Sequence, residues 1–214
     1  MQSTPPDPGW IALGRETLAR LDPALAVAHA ATPPFPWRRK PAGFAGLVRM
    51  ILEQQVSVIS ATAVWTRLEA GLGQVAPPAV LAADAETLRG FGLTRQKARY
   101  IRALAEAGID FDRLGELDDA AAVARLTAVL GIGRWTAEAY LMICEGRTDF
   151  FPAGDVALQE ALRVADGAAE RPTEKILYGR AETWRPHRGV AAHLLWAYYA
   201  GVKRGEIQPL RPAS

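Results

Sequence analysis

Cysteine is nearly absent from this chain of 214 residues, with Cys144 its single thiol. One thiol excludes an internal disulfide, a four-thiolate iron–sulfur cluster and a cysteine-rich zinc site, and it fits a reducing compartment. Histidine is scarce too: His29, His187 and His193 are dispersed, with no carboxylate at ligand spacing, so neither a cofactor nor a catalytic metal is expected. Long hydrophobic runs are missing. The longest uncharged apolar stretch, Gly189 to Val202, carries His193 and falls short of the roughly 20 residues that span a bilayer, so no membrane partner is expected. Met1 to Trp10 holds prolines and an aspartate where a secretory signal has a basic head and an apolar run. The expected location is the cytoplasm. β-Branched residues nowhere alternate with polar ones long enough to suggest a strand. Lysine is rare as well, at 4 against 21 arginines.

What remains is half apolar, 22% charged and close to neutral at +2, the profile of a soluble globular protein with length for one large domain or two small lobes. Arginine's planar fork suits phosphate. An alanine- and arginine-rich composition also follows from GC-rich coding, so the arginine excess alone assigns nothing.

Glycine and proline cut the chain into short helical segments, and the reading is all-α. A helix pair is expected over Trp10 to Ala30, followed by a rigid basic connector, Pro33-Pro34-Phe35-Pro36-Trp37-Arg38-Arg39-Lys40-Pro41. One long helical stretch is expected from Phe44 to Ala70, ending at Gly71 and Gly73, with Leu47, Met50, Ile51, Val58 and Ile59 on its apolar side and Gln54 and Gln55 in its middle. Pro77-Pro78 and Asp84 signal two short helices. Thr94 then caps a helix reaching Ala107, on which Ala98, Ile101 and Ala105 share one face while Arg95, Lys97, Arg99 and Arg102 point outward. Asp118 to Val129 reads as a helix, Leu130-Gly131-Ile132-Gly133 as a tight turn, and Arg134 to Glu145 as a second helix. A loop, Phe150-Phe151-Pro152-Ala153-Gly154, delivers Asp155 to the start of a helix from Val156 to Val164, and Pro172 and Pro186 open the last two.

Two glycines flanking one apolar residue directly before a helix let the backbone turn with positive φ and clear away side chains. The amides of Gly131, Gly133 and Arg134 can then face outward, where the positive end of the helix dipole favours a phosphate, while Ile132 tucks inward. The same pattern also describes an ordinary turn between packed helices.

Five segments in order carry a resemblance over roughly Phe44 to Gly201: Ile51-Leu52-Glu53-Gln54-Gln55-Val56-Ser57, Gly92-Leu93-Thr94-Arg95-Gln96-Lys97-Ala98, Leu130-Gly131-Ile132-Gly133-Arg134-Trp135-Thr136-Ala137, the Asp155 loop, and Trp184-Arg185-Pro186-His187-Arg188 leading to Trp196. Together they resemble the helix-hairpin-helix DNA glycosylase superfamily, and within it the 3-methyladenine DNA glycosylase II group. The resemblance implies two α-helical lobes with a cleft between them, residues 1–43 plus the C-terminal helices forming one lobe and residues 44–150 the other, with the hairpin at 129–134. It implies a partner, double-stranded DNA with damaged bases, acted on by a monomer associated with the bacterial nucleoid. It also implies an activity, the flipping out and hydrolytic excision of alkylated purines.

Asp155 occupies the place of that family's catalytic aspartate. Breaking an N-glycosidic bond builds positive charge on the sugar. A carboxylate about 3.5 Å away stabilises that charge by about 5 kcal/mol at an effective dielectric of about 20. Aspartate in this position also caps helices. Bifunctional relatives attack the sugar with a lysine directly before the Thr-Ala of the hairpin motif; here that place is Trp135, which forms no Schiff base, so a monofunctional enzyme using water is implied. Trp135 and Trp196 match positions that line the base pocket, where tryptophan attracts a charged base by roughly 0.5 to 2 kcal/mol more than a neutral one. Tyr140 is a third candidate, one residue beyond the family's pocket tyrosine, where this chain has Ala139. Gln54 and Gln55 match the group that fills the gap left by a flipped base. Gly131, Gly133, Arg134 and Thr136 match the hairpin's DNA-binding positions, and Leu130 stands where proline is usual. The carbonyls of Thr127, Val129 and Ile132 match places where some relatives hold a monovalent cation. Two alternatives stay open at this point: a glycosylase for another damaged base, and a non-catalytic helix-hairpin-helix module that grips DNA.

Overall fold

The computed structural model describes residues 4–208, and among these residues every regular element is helical. In order they are α1 (Pro8–Leu21), α2 (Pro23–Ala31), α3 (Phe44–Glu53), α4 (Val58–Leu72), α5 (Pro77–Ala82), α6 (Ala85–Gly90), α7 (Arg95–Glu106), α8 (Phe111–Glu116), α9 (Asp119–Thr127), α10 (Arg134–Ile143), α11 (Val156–Asp166), α12 (Glu174–Ala181) and α13 (Arg188–Arg204), with a 3₁₀ turn at Glu182–Trp184. The chain divides into two compact units, one of residues 40–140 and the other of residues 4–39 with 141–208. The boundary after residue 140 falls inside α10.

Helix starts follow side-chain chemistry. Asp7, Asp22, Ser57, Asp84, Thr94, Asp110, Asp118, Asp155 and Thr173 each accept a backbone N–H from the first turn of the helix they precede. In the 40–140 unit, α7 packs on α3, α5 and α6, burying Ala98, Ile101, Leu104 and Ala105. In the other unit α13 packs on α1, α2 and α11. It is buried on nearly every side from Gly189 to Trp196, which explains the apolar run seen in the sequence. No helix among the described residues is long and apolar enough to cross a membrane.

The single long helix expected from Phe44 to Ala70 is two helices. α3 stops at Glu53, Gln54 and Gln55 form a turn in which Gln55 takes φ 58°, and Ser57 caps α4 by accepting the N–H of Ser60. The break resets the helical phase. Leu47, Met50 and Ile51 are buried as expected, whereas Val58 and Ile59, expected on the same face, are 68% and 84% exposed. Helix-compatible residues run through the whole stretch, so periodicity alone did not reveal the interruption. A short helix, α8, was also not anticipated.

Asp22 ties the second unit together. Its carboxylate caps α2 and accepts both Nε and Nη2 of Arg180 at 2.7 and 2.6 Å and Nε1 of Trp184 at 3.1 Å; Arg180 also binds Asp166 at 2.6 Å. Burial by itself would raise the Asp22 pKa, but the hydrogen bond and charge of Arg180 outweigh it and hold the carboxyl below its usual range. A carboxyl depressed in the folded state contributes stability above its unfolded pKa and loses it as pH falls. Arg180→Met should therefore cost about 3 kcal/mol at pH 7. In denaturant titrations that loss should shrink as pH drops below about 4, where protonated Asp22 no longer needs the guanidinium.

Candidate nucleic-acid interface and active site

The hairpin lies in the 40–140 unit. The Val129 carbonyl accepts the N–H of Ile132 at 3.1 Å and closes the turn; the Gly133 carbonyl accepts that of Ala137 at 3.0 Å and starts α10. Val129 and Ile132 are buried and anchor the loop. Gly131 must be glycine for two reasons. Its φ is 88°, and a Cβ there would sit 2.1 Å from Cγ of Tyr100. Gly133 is exposed, and a Cβ there would meet nothing within 4 Å, so its backbone is open to approach from outside. Beside the turn is a groove of about 710 Å³ lined by Gly131, Ile132 and Gly133 together with Gln55, Thr94 and Lys97. Thr127 and Val129 also line it.

Gln54 ties α3 to the hairpin. Its Nε2 donates to the Gly131 carbonyl and to Oγ1 of Thr136, both at 3.0 Å, so the end of α3 is stitched to both sides of the hairpin turn. Thr136 is 2% exposed and serves as the receiving end of that stitch. Gln55, by contrast, is exposed at the tip of the turn. Lys97 corrects the outward role read for it: its Nζ donates to the Leu52 carbonyl at 2.6 Å, capping the C-terminus of α3, and burial pushes its pKa down. Arg134 stands on the first turn of α10 with its side chain half exposed and its Nε on Glu138 at 2.8 Å. Trp135, next to it, is half-buried. Tyr140 is completely buried, and its hydroxyl accepts the Gly43 N–H at 2.8 Å ahead of α3. Its ring packs against that of Phe111, centroid to centroid 6.0 Å.

Asp155 and Trp196 lie in the other unit. Phe151, Pro152 and Ala153 are buried, and the loop is tightened by N–H donation from Asp155 to Pro152 at 2.9 Å and from the Gln159 side chain to Ala153 at 2.9 Å. Oδ1 of Asp155 accepts the N–H groups of Ala157 and Leu158 at 2.8 and 3.1 Å, at the positive end of α11. Nε1 of Trp196 reaches the same oxygen at 3.4 Å. The carboxylate thus caps a helix and faces a large aromatic ring, a geometry able to place fixed negative charge beside a developing cation.

Two neighbours of Trp196 were not found from the sequence. The Arg38 guanidinium sits over its ring, 4.6 Å from the centroid. His193 meets it edge to face at 5.5 Å and stacks on Trp37 at 3.8 Å. Desolvation, aided by the charge of Arg38, pulls the His193 pKa down to about 4, while Nδ1 holds the Gly189 carbonyl at 2.7 Å. The i, i+3 spacing of His193 and Trp196 was a usable signal for their contact; nothing local marked Arg38.

A model of the HhH-GPD superfamily of base excision DNA repair proteins matches residues 48–186. The DNA-3-methyladenine glycosylase 1 of Schizosaccharomyces pombe is 29% identical over 158 residues, 70% of this chain and 69% of that protein. Among solved structures, the DNA-3-methyladenine glycosidase of Bacillus halodurans superposes with a TM-score of 0.76 at 30% identity, covering 89% of this chain and 91% of that one. The S. pombe 3-methyladenine DNA glycosylase in complex with abasic DNA gives 0.78 at 25% identity, covering 92% and 99%.

The hairpin's two glycines should separate by stability. Gly131→Ala should cost about 2 kcal/mol or more, because it adds a positive-φ penalty to a clash with the Tyr100 ring. Gly133→Ala should stay within about 0.5 kcal/mol of wild type. Thermal melts of the two variants measure the difference.

Proposed function

The chain belongs to the HhH-GPD superfamily of base excision DNA repair proteins, and from that membership we propose that it is a DNA glycosylase that excises alkylated purines of the 3-methyladenine type from duplex DNA, with water as nucleophile. The observation that carries the reading is the Asp155 carboxylate held by two backbone N–H groups beside the Trp196 ring. The carboxylate stabilises the positive charge that builds on the sugar and orients or activates the attacking water. Trp196 offers an electron-rich face to a charged base. The curated relative and the two structural relatives named above are themselves 3-methyladenine glycosylases by name, which supports the same substrate class.

The hairpin takes a phosphate on the open backbone of Gly133 at the start of α10, with Arg134 beside it. Gln55, at an exposed left-handed turn, fills the space that a flipped base leaves. The carbonyls of Thr127, Val129 and Ile132 are the groups that would hold a monovalent cation at the hairpin; such an ion would add positive charge near a bound phosphate. The enzyme acts as a monomer in the cytoplasm.

The absence of lyase chemistry rests on the lysines. Trp135 stands where a nucleophilic lysine would be needed, Lys97 is committed to the Leu52 carbonyl, and Lys40 pairs with Glu53.

The direct test is to incubate the protein with methylated genomic DNA and identify released bases by chromatography with mass spectrometry. Release of 3-methyladenine is expected, and release of no alkylated base would overturn the reading. Asp155→Asn should abolish release while DNA affinity holds or rises, since one negative charge near phosphate is gone; activity within tenfold of wild type would reject Asp155. Borohydride during turnover should trap no protein–DNA adduct, and an adduct mapping to a lysine would overturn the monofunctional assignment. Gln55→Ala should slow release from duplex far more than from single strands, because a filling group matters only where a base leaves a stack.

A further inference from the structure

Trp196 is 6% exposed, and of the three side chains named on it Arg38 is the exposed one. Asp155 is fixed at its ring nitrogen, and His193 is buried. Arg38 belongs to the proline-rich connector between α2 and α3, whose backbone is stiff, while its own side chain is long and solvated. A flipped base can gain the ring face that Arg38 covers only if the guanidinium leaves it. The guanidinium is also chemically a stand-in for the proposed substrate: a planar, delocalised cation on an electron-rich ring.

We propose that Arg38 is a specificity-determining gate, a resident cation on Trp196 that any incoming base must displace. The inference rests on the glycosylase reading above. Displacement costs every base the same cation–π contact. A cationic alkylated purine regains it on the same ring; a neutral purine, damaged or not, does not. A charged base therefore fills the pocket in spite of the gate, whereas a neutral base is held mostly outside it. The same side chain raises the general threshold for entry and protects ordinary bases from excision. The charge of Arg38 also helps to lower the His193 pKa.

Single-turnover release from two otherwise identical duplexes tests this, one carrying cationic 7-methylguanine and one carrying neutral hypoxanthine. Arg38→Ala should raise hypoxanthine release roughly 3- to 10-fold, within the span of a single cation–π contact, and raise 7-methylguanine release by less, so the cationic-to-neutral ratio falls. Arg38→Lys, which keeps the charge, should retain most of the wild-type ratio. Melting curves guard against a folding defect. If both variants lose activity on both bases in parallel, Arg38 is a packing or DNA-anchoring residue and the gate is wrong. A ratio that stays constant or rises in Arg38→Ala also overturns it. A wild type that releases neither base overturns the gate, while the glycosylase reading is decided separately by 3-methyladenine release from methylated genomic DNA; a wild type active on 7-methylguanine leaves that reading standing whatever the variants show.

Discussion

One carboxylate group, to which we assign the chemistry, also bears a structural demand in this protein. Asp155 closes the N-terminus of α11 by accepting two backbone N–H groups, and the same oxygen receives the ring N–H of Trp196. The cap does not compete with the chemistry proposed for Asp155. Each N–H holds the ionised form in a fixed place, so the charge needs no rearrangement when a cation develops nearby, the condition under which electrostatic stabilisation is most effective. The buried Phe150, Phe151 and Ala153 upstream and the Gln159 clamp on Ala153 keep the loop from relaxing. A loop carries the acid side chain, but a helix end and a packed core set its position.

The 40–140 unit solves a similar problem at its hairpin. A two-glycine turn is cheap to deform, and here three interactions stiffen it from different elements. The Tyr100 ring of α7 lies against Gly131, Gln54 spans from the end of α3 to Gly131 and Thr136, and Lys97 holds the Leu52 carbonyl near the end of α3. Gln54 and Gln55 are adjacent and chemically identical, yet the first is consumed in holding the hairpin and the second is left exposed on a strained left-handed backbone. Non-glycine residues with positive φ cost free energy and persist where surrounding structure enforces them, and such positions cluster at functional sites.

Much of this was legible in the sequence because it depends on local chemistry. Asp155 before an apolar helix, Thr94 and Asp118 as caps, and the Gly131-Ile132-Gly133 turn are written in consecutive residues, and the structure has each of them where the spacing predicts. What escaped was long-range or depended on phase. The break at Gln54 is invisible to hydrophobic periodicity because both flanking segments are apolar and helix-compatible; Ser57 was the overlooked cap. Tyr140 and Thr136 sit on a helix whose every residue from Thr136 to Ile143 is buried, so residue type could not distinguish lining from core. Arg38 reaches Trp196 across a separation of 158 positions (196 − 38), and no local pattern encodes that contact. Lys97 looked outward among arginines on its helix, but its neighbour on α3 is a carbonyl rather than solvent.

The aromatic cluster also bears on which leaving groups the site favours. An uncharged purine departs from a sugar more easily if a nearby acid protonates it, and an acid with pKa near the working pH serves best. The titratable ring against Trp196 is His193, and burial holds its pKa at about 4, so it is neutral at physiological pH. With Nδ1 directed at the Gly189 carbonyl, its ring proton is committed to the backbone and its charge is unavailable for transfer. Charging it would cost more because the Arg38 cation shares the cluster. A base that is already positive needs no such donor, since the electrons of the breaking bond flow into a ring that carries the charge in advance. With the roles proposed above, Asp155, the ring face of Trp196 and an inert His193 then form a consistent set: negative charge for the sugar, a π surface for a cationic base and little proton-donating capacity for a neutral one.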